Sequence, residues 1–168
     1  MSELFYRDAT LNDLPKIVEI YNSTIPSRLV TSDIEPVTVE SRIKWFSEHT
    51  SGKRPLWVVE TPNKNVIGWV SFQSFYHGRP AYEATIELSI YLDVSLRNKG
   101  LGKQVLQYSI DRAKQFGIKT ILGFIFAHNG PSLKLFKYFG FEEWATLPNI
   151  AVFDRVERSL KILGKRIA

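Results

Sequence analysis

Apolar and polar residues alternate along this chain with two different periods, and each change of period marks a new element. Residues 3–9 alternate as a short strand. The stretch Thr10-Leu11-Asn12-Asp13 then offers helix-capping side chains, and Leu14, Ile17, Val18 and Tyr21 recur on one helical face. Pro15 suits only the first turn of such a helix, where a missing N–H leaves no bond unmade. A loop with Pro26 and Pro36 follows. Thr38 can cap a second helix, with Val39, Ile43 and Phe46 on one side.

The central part reads as strands. Residues 56–60 and 66–75 form two, joined by the turn Pro62-Asn63-Lys64-Asn65. His77-Gly78-Arg79-Pro80 breaks the pattern, and residues 85–92 alternate strongly as a third. Residues 100–116 predict a helix with Leu106, Ser109, Ile110, Ala113 and Phe116 on one side, ended by Gly117. Residues 118–127 read as a buried strand, 131–138 as a short helix closed by Gly140, and 141–146 and 152–163 as two last strands. This order predicts an α/β (α+β) single domain over 1–168, with a mixed sheet and helices on both faces. It lacks the strict strand–helix alternation of a dinucleotide-binding fold.

Composition narrows the function classes. A chain of 168 residues with 44% hydrophobic and 23% charged residues is ordinary for one globular domain. The absence of cysteine excludes disulfides, thiolate metal sites and cysteine nucleophiles. Residues 1–7 show no basic stretch leading into an apolar one, so no secretory leader is expected. The longest apolar run, 118–127, already contains Lys119, Thr120 and Gly123, so no membrane span is expected and the cytoplasm is the default. His49, His77 and His128 lack metal-ligand spacing, and no metal is expected. The net charge of +5 is scattered over the chain. It fits a solvated basic surface or a phosphorylated small ligand, whereas a nucleic-acid partner would rest on charge alone.

The most informative segment is Arg97-Asn98-Lys99-Gly100-Leu101-Gly102-Lys103, between an apolar strand and an amphipathic helix. Glycines allow close backbone approach, and the N–H groups and dipole of a helix start favour an anion. Arg97, Lys99 and Lys103 add positive charge. The phosphate-binding pattern G-x-x-x-x-G-K-S/T is absent, and Val105 stands where a G-x-G-x-x-G fingerprint needs its last glycine. Taken alone, the glycines fit a tight strand-to-helix turn equally well.

Arg97, Gly100 and Gly102 match the pattern Gln/Arg-x-x-Gly-x-Gly/Ala, and Asn129, Ser132, Leu135, Phe136, Gly140 and Phe141 follow a second signature in the right order. On these motifs the chain resembles the GNAT family of N-acetyltransferases over nearly its whole length. The resemblance implies a GNAT fold with a mixed, mostly antiparallel central sheet, and acetyl-CoA as cosubstrate. It implies cofactor contacts from Ile90, Tyr91 and Leu92, from Arg97, Asn98, Lys99, Gly100, Leu101, Gly102 and Lys103, and from Asn129 and Ser132. Ile20-Tyr21-Asn22, Glu35-Pro36-Val37, Trp45-Phe46, Arg79-Pro80, residues 85–91 and the ending Leu160-Lys161-Ile162-Leu163-Gly164 look like the phosphinothricin and methionine-sulfoximine acetyltransferases. That subgroup implies acetylation of the α-amine of a small amino-acid-like acceptor, and a homodimer.

Acetyl transfer to an amine needs a base for the ammonium proton. Thr85, Glu87, Ser89 and Tyr91 share one face of their strand, and a carboxylate amid so apolar a strand must be partnered, solvated in a cleft or neutral. The pattern alone also fits a half-buried glutamate on an exposed sheet face; the subgroup resemblance implies that Glu87 is the general base. Taken alone, Arg79 reads as a surface loop arginine; the subgroup resemblance implies that its planar fork meets an acceptor oxyanion, with Tyr82 and Ser89 as further acceptor contacts. One position departs from the family: Phe136 occupies the place of a proton-donating Tyr or His. Tyr138 lies about 200° further round a helix and is a poor substitute. Other amine acceptors (a polyamine, an antibiotic, a protein N-terminus) and a nonenzymatic acetyl-CoA-binding module are the competing readings.

Overall fold

The computed structural model describes residues 3–168. Its elements run β1 (Phe5–Asp8), α1 (Leu14–Thr24), α2 (Val39–Ser47), β2 (Leu56–Glu60), β3 (Val66–Ser74), β4 (Thr85–Leu92), α3 (Leu101–Ala113), β5 (Thr120–Phe126), α4 (Gly130–Tyr138), β6 (Glu142–Phe153) and β7 (Val156–Arg166). The seven strands form one sheet in the order β1-β2-β3-β4-β5-β7-β6. Every neighbouring pair is antiparallel except β4 and β5.

Helices cover both faces, which is why β2 reads as an unbroken apolar run. Trp57 and Val59 pack towards α3, where Val105, Leu106, Ile110 and Ala113 are buried. Leu56 and Val58 face α1, against Leu14, Ile17 and Val18. Trp69 on β3 donates its indole N–H to the Ile17 carbonyl at 3.1 Å, pinning α1 to the sheet. Asn22 on α1 makes two 2.9 Å bonds to the backbone of Val37, and Thr38 caps α2 by accepting from the Ser41 N–H. These bonds fix the two helices over one face of β3 and β4.

The last two strands differ from the sequence reading. The strand expected over 152–163 straddles a hairpin turn at Asp154 and Arg155, whose φ values are 49° and 69°. Two-residue hairpin loops require this left-handed backbone, and Asn-Gly usually supplies it. Asp-Arg gives no such signal. Pro148 and Asn149, which read as a break, lie inside β6 at a register irregularity between Leu147 and Ala151. The helix expected over 100–116 ends at Ala113, and a tighter turn, Lys114–Phe116, leads to Gly117 at φ 71°.

Candidate active site

The parallel pairing of β4 with β5 lasts only three positions, Thr85 with Thr120, Ile86 with Ile121, and Glu87 with Leu122. Beyond them the strands part, and a cleft of about 370 Å³ opens between residues 88–92 and 123–125. Backbone groups on that edge of β4 have no neighbouring strand, so a ligand bearing amides can pair with them. At its far end the cleft reaches Arg97, Asn98, Gly100, Leu101 and Gly102, and on its other wall Asn129, Pro131 and Ser132. Asn98 (φ 62°) and Gly100 (φ 77°) turn the backbone left-handed just before α3. Gly100 supplies no capping side chain, so the N–H groups of Leu101 and Gly102 remain open to an anion, while that of Lys103 donates to the Gly100 carbonyl at 3.2 Å. A Cβ on Gly102 would lie 3.2 Å from Leu135, so glycine also lets α3 approach α4.

A second cavity, of about 360 Å³, lies on the α1–α2 face of the sheet. Across β3 and β4 three side-chain pairs line up: Gln73 with Glu87, Ser71 with Ser89, and Trp69 with Tyr91. All six border this cavity. Trp69 and Tyr91 stack at 4.4 Å. Val30, Ser89, Tyr91 and Phe124 border both cavities, so the two meet at the point where β4 and β5 part. Glu87 sits beside that junction. Burial pushes its carboxyl above the usual carboxylate range, and the charge of His77 partly offsets this. Among the described residues no group donates a hydrogen bond to it. Glu87 also borders a third hollow with His49 and His77, which offers a proton a way out.

The profile of the acetyltransferase (GNAT) family matches residues 15–141, most of the chain. The chain belongs to the GNAT acetyltransferase family. Among its relatives, Bacillus subtilis YwnH, provisionally named a phosphinothricin acetyltransferase, is 52% identical over 96% of this chain and 98% of its own. The L-methionine sulfoximine/L-methionine sulfone acetyltransferase of Pseudomonas aeruginosa is 32% identical over 86% of this chain and 83% of its own. The crystal structure of a phosphinothricin acetyltransferase from Sinorhizobium meliloti in complex with acetyl-CoA superposes with a TM-score of 0.90. It is 26% identical, covering 99% of this chain and 89% of that one.

Acetyl-CoA is thus the cosubstrate of this GNAT acetyltransferase, and the cleft suits it: an anion-ready helix start at one end, a free strand edge along the middle. Of the residues expected to touch it, Ile90, Tyr91, Leu92, Arg97, Asn98, Gly100, Leu101, Gly102, Asn129 and Ser132 line the cleft. Lys99 and Lys103 stand outside it, exposed, with the Lys103 ammonium 4.2 Å above the Tyr138 ring. Asn129 is committed to structure. Its Oδ1 accepts from the Ser132 N–H, and its Nδ2 donates to the Leu29 carbonyl at 3.1 Å. Phe136 packs edge-on to Phe141, and its ring comes within 2.6 Å of where a Cβ on Gly123 would lie. Hydrocarbon fills the site of the missing proton donor, and Tyr138, 68% exposed, does not replace it.

Glu87 and Ser89 come together, but Arg79 and Tyr82 do not join them. Both sit on the exposed loop 75–82, outside the second cavity, with Tyr82 stacked edge-on against Phe75 and Tyr76. Arg54, nearly fully buried, holds the two ends of that loop by donating to Ser74 Oγ and the Glu83 carbonyl. The sequence reading missed Arg42, Trp45, Ser71, Gln73 and Phe124 as cavity walls. Ser71 and Gln73 follow from strand register once β3 is paired with β4. Arg42 gave no signal, because an arginine on an amphipathic helix reads as solvated surface.

Proposed function

We propose that this acetyltransferase acetylates the α-amine of a small amino-acid-like acceptor, such as phosphinothricin or methionine sulfoximine, with Glu87 as general base. The observation that carries the reading is the half-buried Glu87 carboxylate beside the junction of the two cavities. Once deprotonated, the amine attacks the thioester carbonyl of acetyl-CoA; the C–N bond forms, the C–S bond breaks, and CoA leaves as a thiolate that takes up the second nitrogen proton through water. Glu87 takes a proton from the acceptor ammonium, and its raised pKa brings it closer to that of the amine it must deprotonate. Water in the hollow beside His77 carries that proton to solvent. Ser89 and Tyr91 are the hydroxyl-bearing side chains that border both cavities. Burial raises the Tyr91 phenol as well, so it remains protonated. The sulfoximine and phosphinothricin names of the relatives support an acceptor of this size. So does a cavity walled by α1, α2 and the sheet.

Glu87→Gln keeps the shape and removes the proton acceptor. Its kcat at neutral pH is expected to fall by roughly 10²–10⁴, the usual worth of a general base. The loss should narrow at high pH, where more amine is already neutral, and CoA affinity should hold. A thiol-release assay on methionine sulfoximine, run from pH 6 to 10, reads both effects. Full activity of the variant at pH 7 would remove Glu87 from the mechanism.

The chain is further proposed to pair as a homodimer. Ile150 and Val152, on one face of β6, are 56% and 60% exposed, apolar positions that a second copy would cover.

A further inference from the structure

The acceptor cavity has one cationic and one anionic side chain in its wall, Arg42 and Glu87. Arg42 is held from outside the cavity. Its Nη2 donates to Asp33 at 2.8 Å, and Asp33 does not border the cavity. Its guanidinium lies 4.7 Å over the ring of Tyr21, whose hydroxyl also donates to Asp33. Among the described residues Arg42 makes no other hydrogen bond, and a guanidinium carries five N–H donors. An ion pair on one corner and a ring beneath thus leave an oriented fork with donors unused.

We infer that Arg42 reads the α-carboxylate of the acceptor, and that zwitterionic α-amino acids are preferred as substrates over their amides and decarboxylated amines. This deepens the function proposed above and rests on it. The two charges of the cavity match the two charges of an amino acid. The carboxylate meets Arg42 while the ammonium meets Glu87, which orients the nitrogen towards the cofactor cleft before the proton leaves. The remaining wall sets Trp45, Trp69, Phe126 and Leu160 beside the polar Ser71 and Gln73, so it can hold an acceptor side chain that is apolar along its length and bears polar oxygens. A planar fork is the geometry a carboxylate binds best, and a fork already fixed by Asp33 and Tyr21 loses little freedom on binding. Arg42 therefore takes the role that the subgroup resemblance gave to Arg79.

The test compares three acceptors with one side chain: methionine sulfone, its carboxamide, and the amine left by removing the carboxyl group. The parent enzyme should favour the acid over the other two by roughly 10- to 100-fold in kcat/KM, the worth of one charge-assisted hydrogen-bonded contact. Arg42→Gln should erase that preference, mainly by raising KM for the acid, while turnover of the amide and the amine changes little. Arg42→Lys should restore part of it. Calorimetry with CoA should show the same affinity in all three proteins. A parent that uses the amide as readily as the acid overturns the inference without any variant. So does an Arg42→Gln variant that slows all three acceptors equally, which would mark Arg42 as a support for Tyr21 and Asp33 only. Brisk turnover of the amine, still dependent on Glu87, would overturn the carboxylate reading alone. No turnover of any acceptor, with Glu87→Gln indistinguishable from the parent, would overturn the proposed function itself.

Discussion

Gly100 shows how one residue can be required for its backbone and not for its contacts. A Cβ there would meet nothing within 4 Å, yet φ is +77°, a region that L side chains adopt at a cost. Gly100→Glu adds that strain and sets a carboxylate where an anion should dock. CoA affinity is expected to fall by roughly 100-fold, measured by calorimetry, with the fold retained by circular dichroism. An unchanged affinity would place the phosphates elsewhere. This residue was legible in the sequence, because a glycine between an apolar strand and an amphipathic helix, flanked by basic residues, carries its own physical reason. Glu87 was legible for a similar cause: strict alternation from Thr85 to Tyr91 put a lone carboxylate on a defined face. Arg42 was not, since its meaning comes from Asp33 and Tyr21, which only the packing of α1 against α2 brings beneath it.

Among the elements, helices and central strands agreed with their apolar periods, and the β6–β7 hairpin did not. Its turn is held by tertiary contact instead of turn chemistry: the Arg28 guanidinium pairs with Asp154 at 3.0 Å, 126 residues away in sequence. No local pattern can report such a bond. The turn also leaves Arg155 left-handed at φ 69°. Arg155→Gly should relieve that conformation and keep the ion pair, stabilising the fold by about 0.5–1 kcal/mol. For a chain of this size that is a rise of about 1–4 °C in Tm, readable by scanning calorimetry. A lower Tm would mean that the Arg155 side chain contributes more than its backbone costs. The Asn129 cap is the opposite case. Its place before α4 was clear from sequence, but its second bond, to the Leu29 carbonyl, ties α4 to the loop after α1 and was invisible.

At the scale of the whole molecule, one sheet carries two chemistries on one strand. The cleft that suits the cofactor opens along the free edge of β4, and the cavity proposed for the acceptor lies over its α1–α2 face. Four of the exposed apolar residues, Trp144, Ile150, Val152 and Val156, border neither cavity and lie on the far hairpin. Light scattering of the purified chain should therefore give about twice the monomer mass of 19.3 kDa, and Ile150→Lys with Val152→Lys should halve it. A monomeric parent would end the dimer proposal. That β4 and β5 part after Glu87 has a thermodynamic consequence. A protein sheet normally closes its own hydrogen bonds, but here a row of them is left for a diffusible molecule to complete. The cosubstrate is then a removable part of the fold. Resistance to heat should follow cofactor concentration logarithmically, as for any ligand that binds only the native state. Under acetyl-CoA starvation, such an enzyme would lose stability together with its activity.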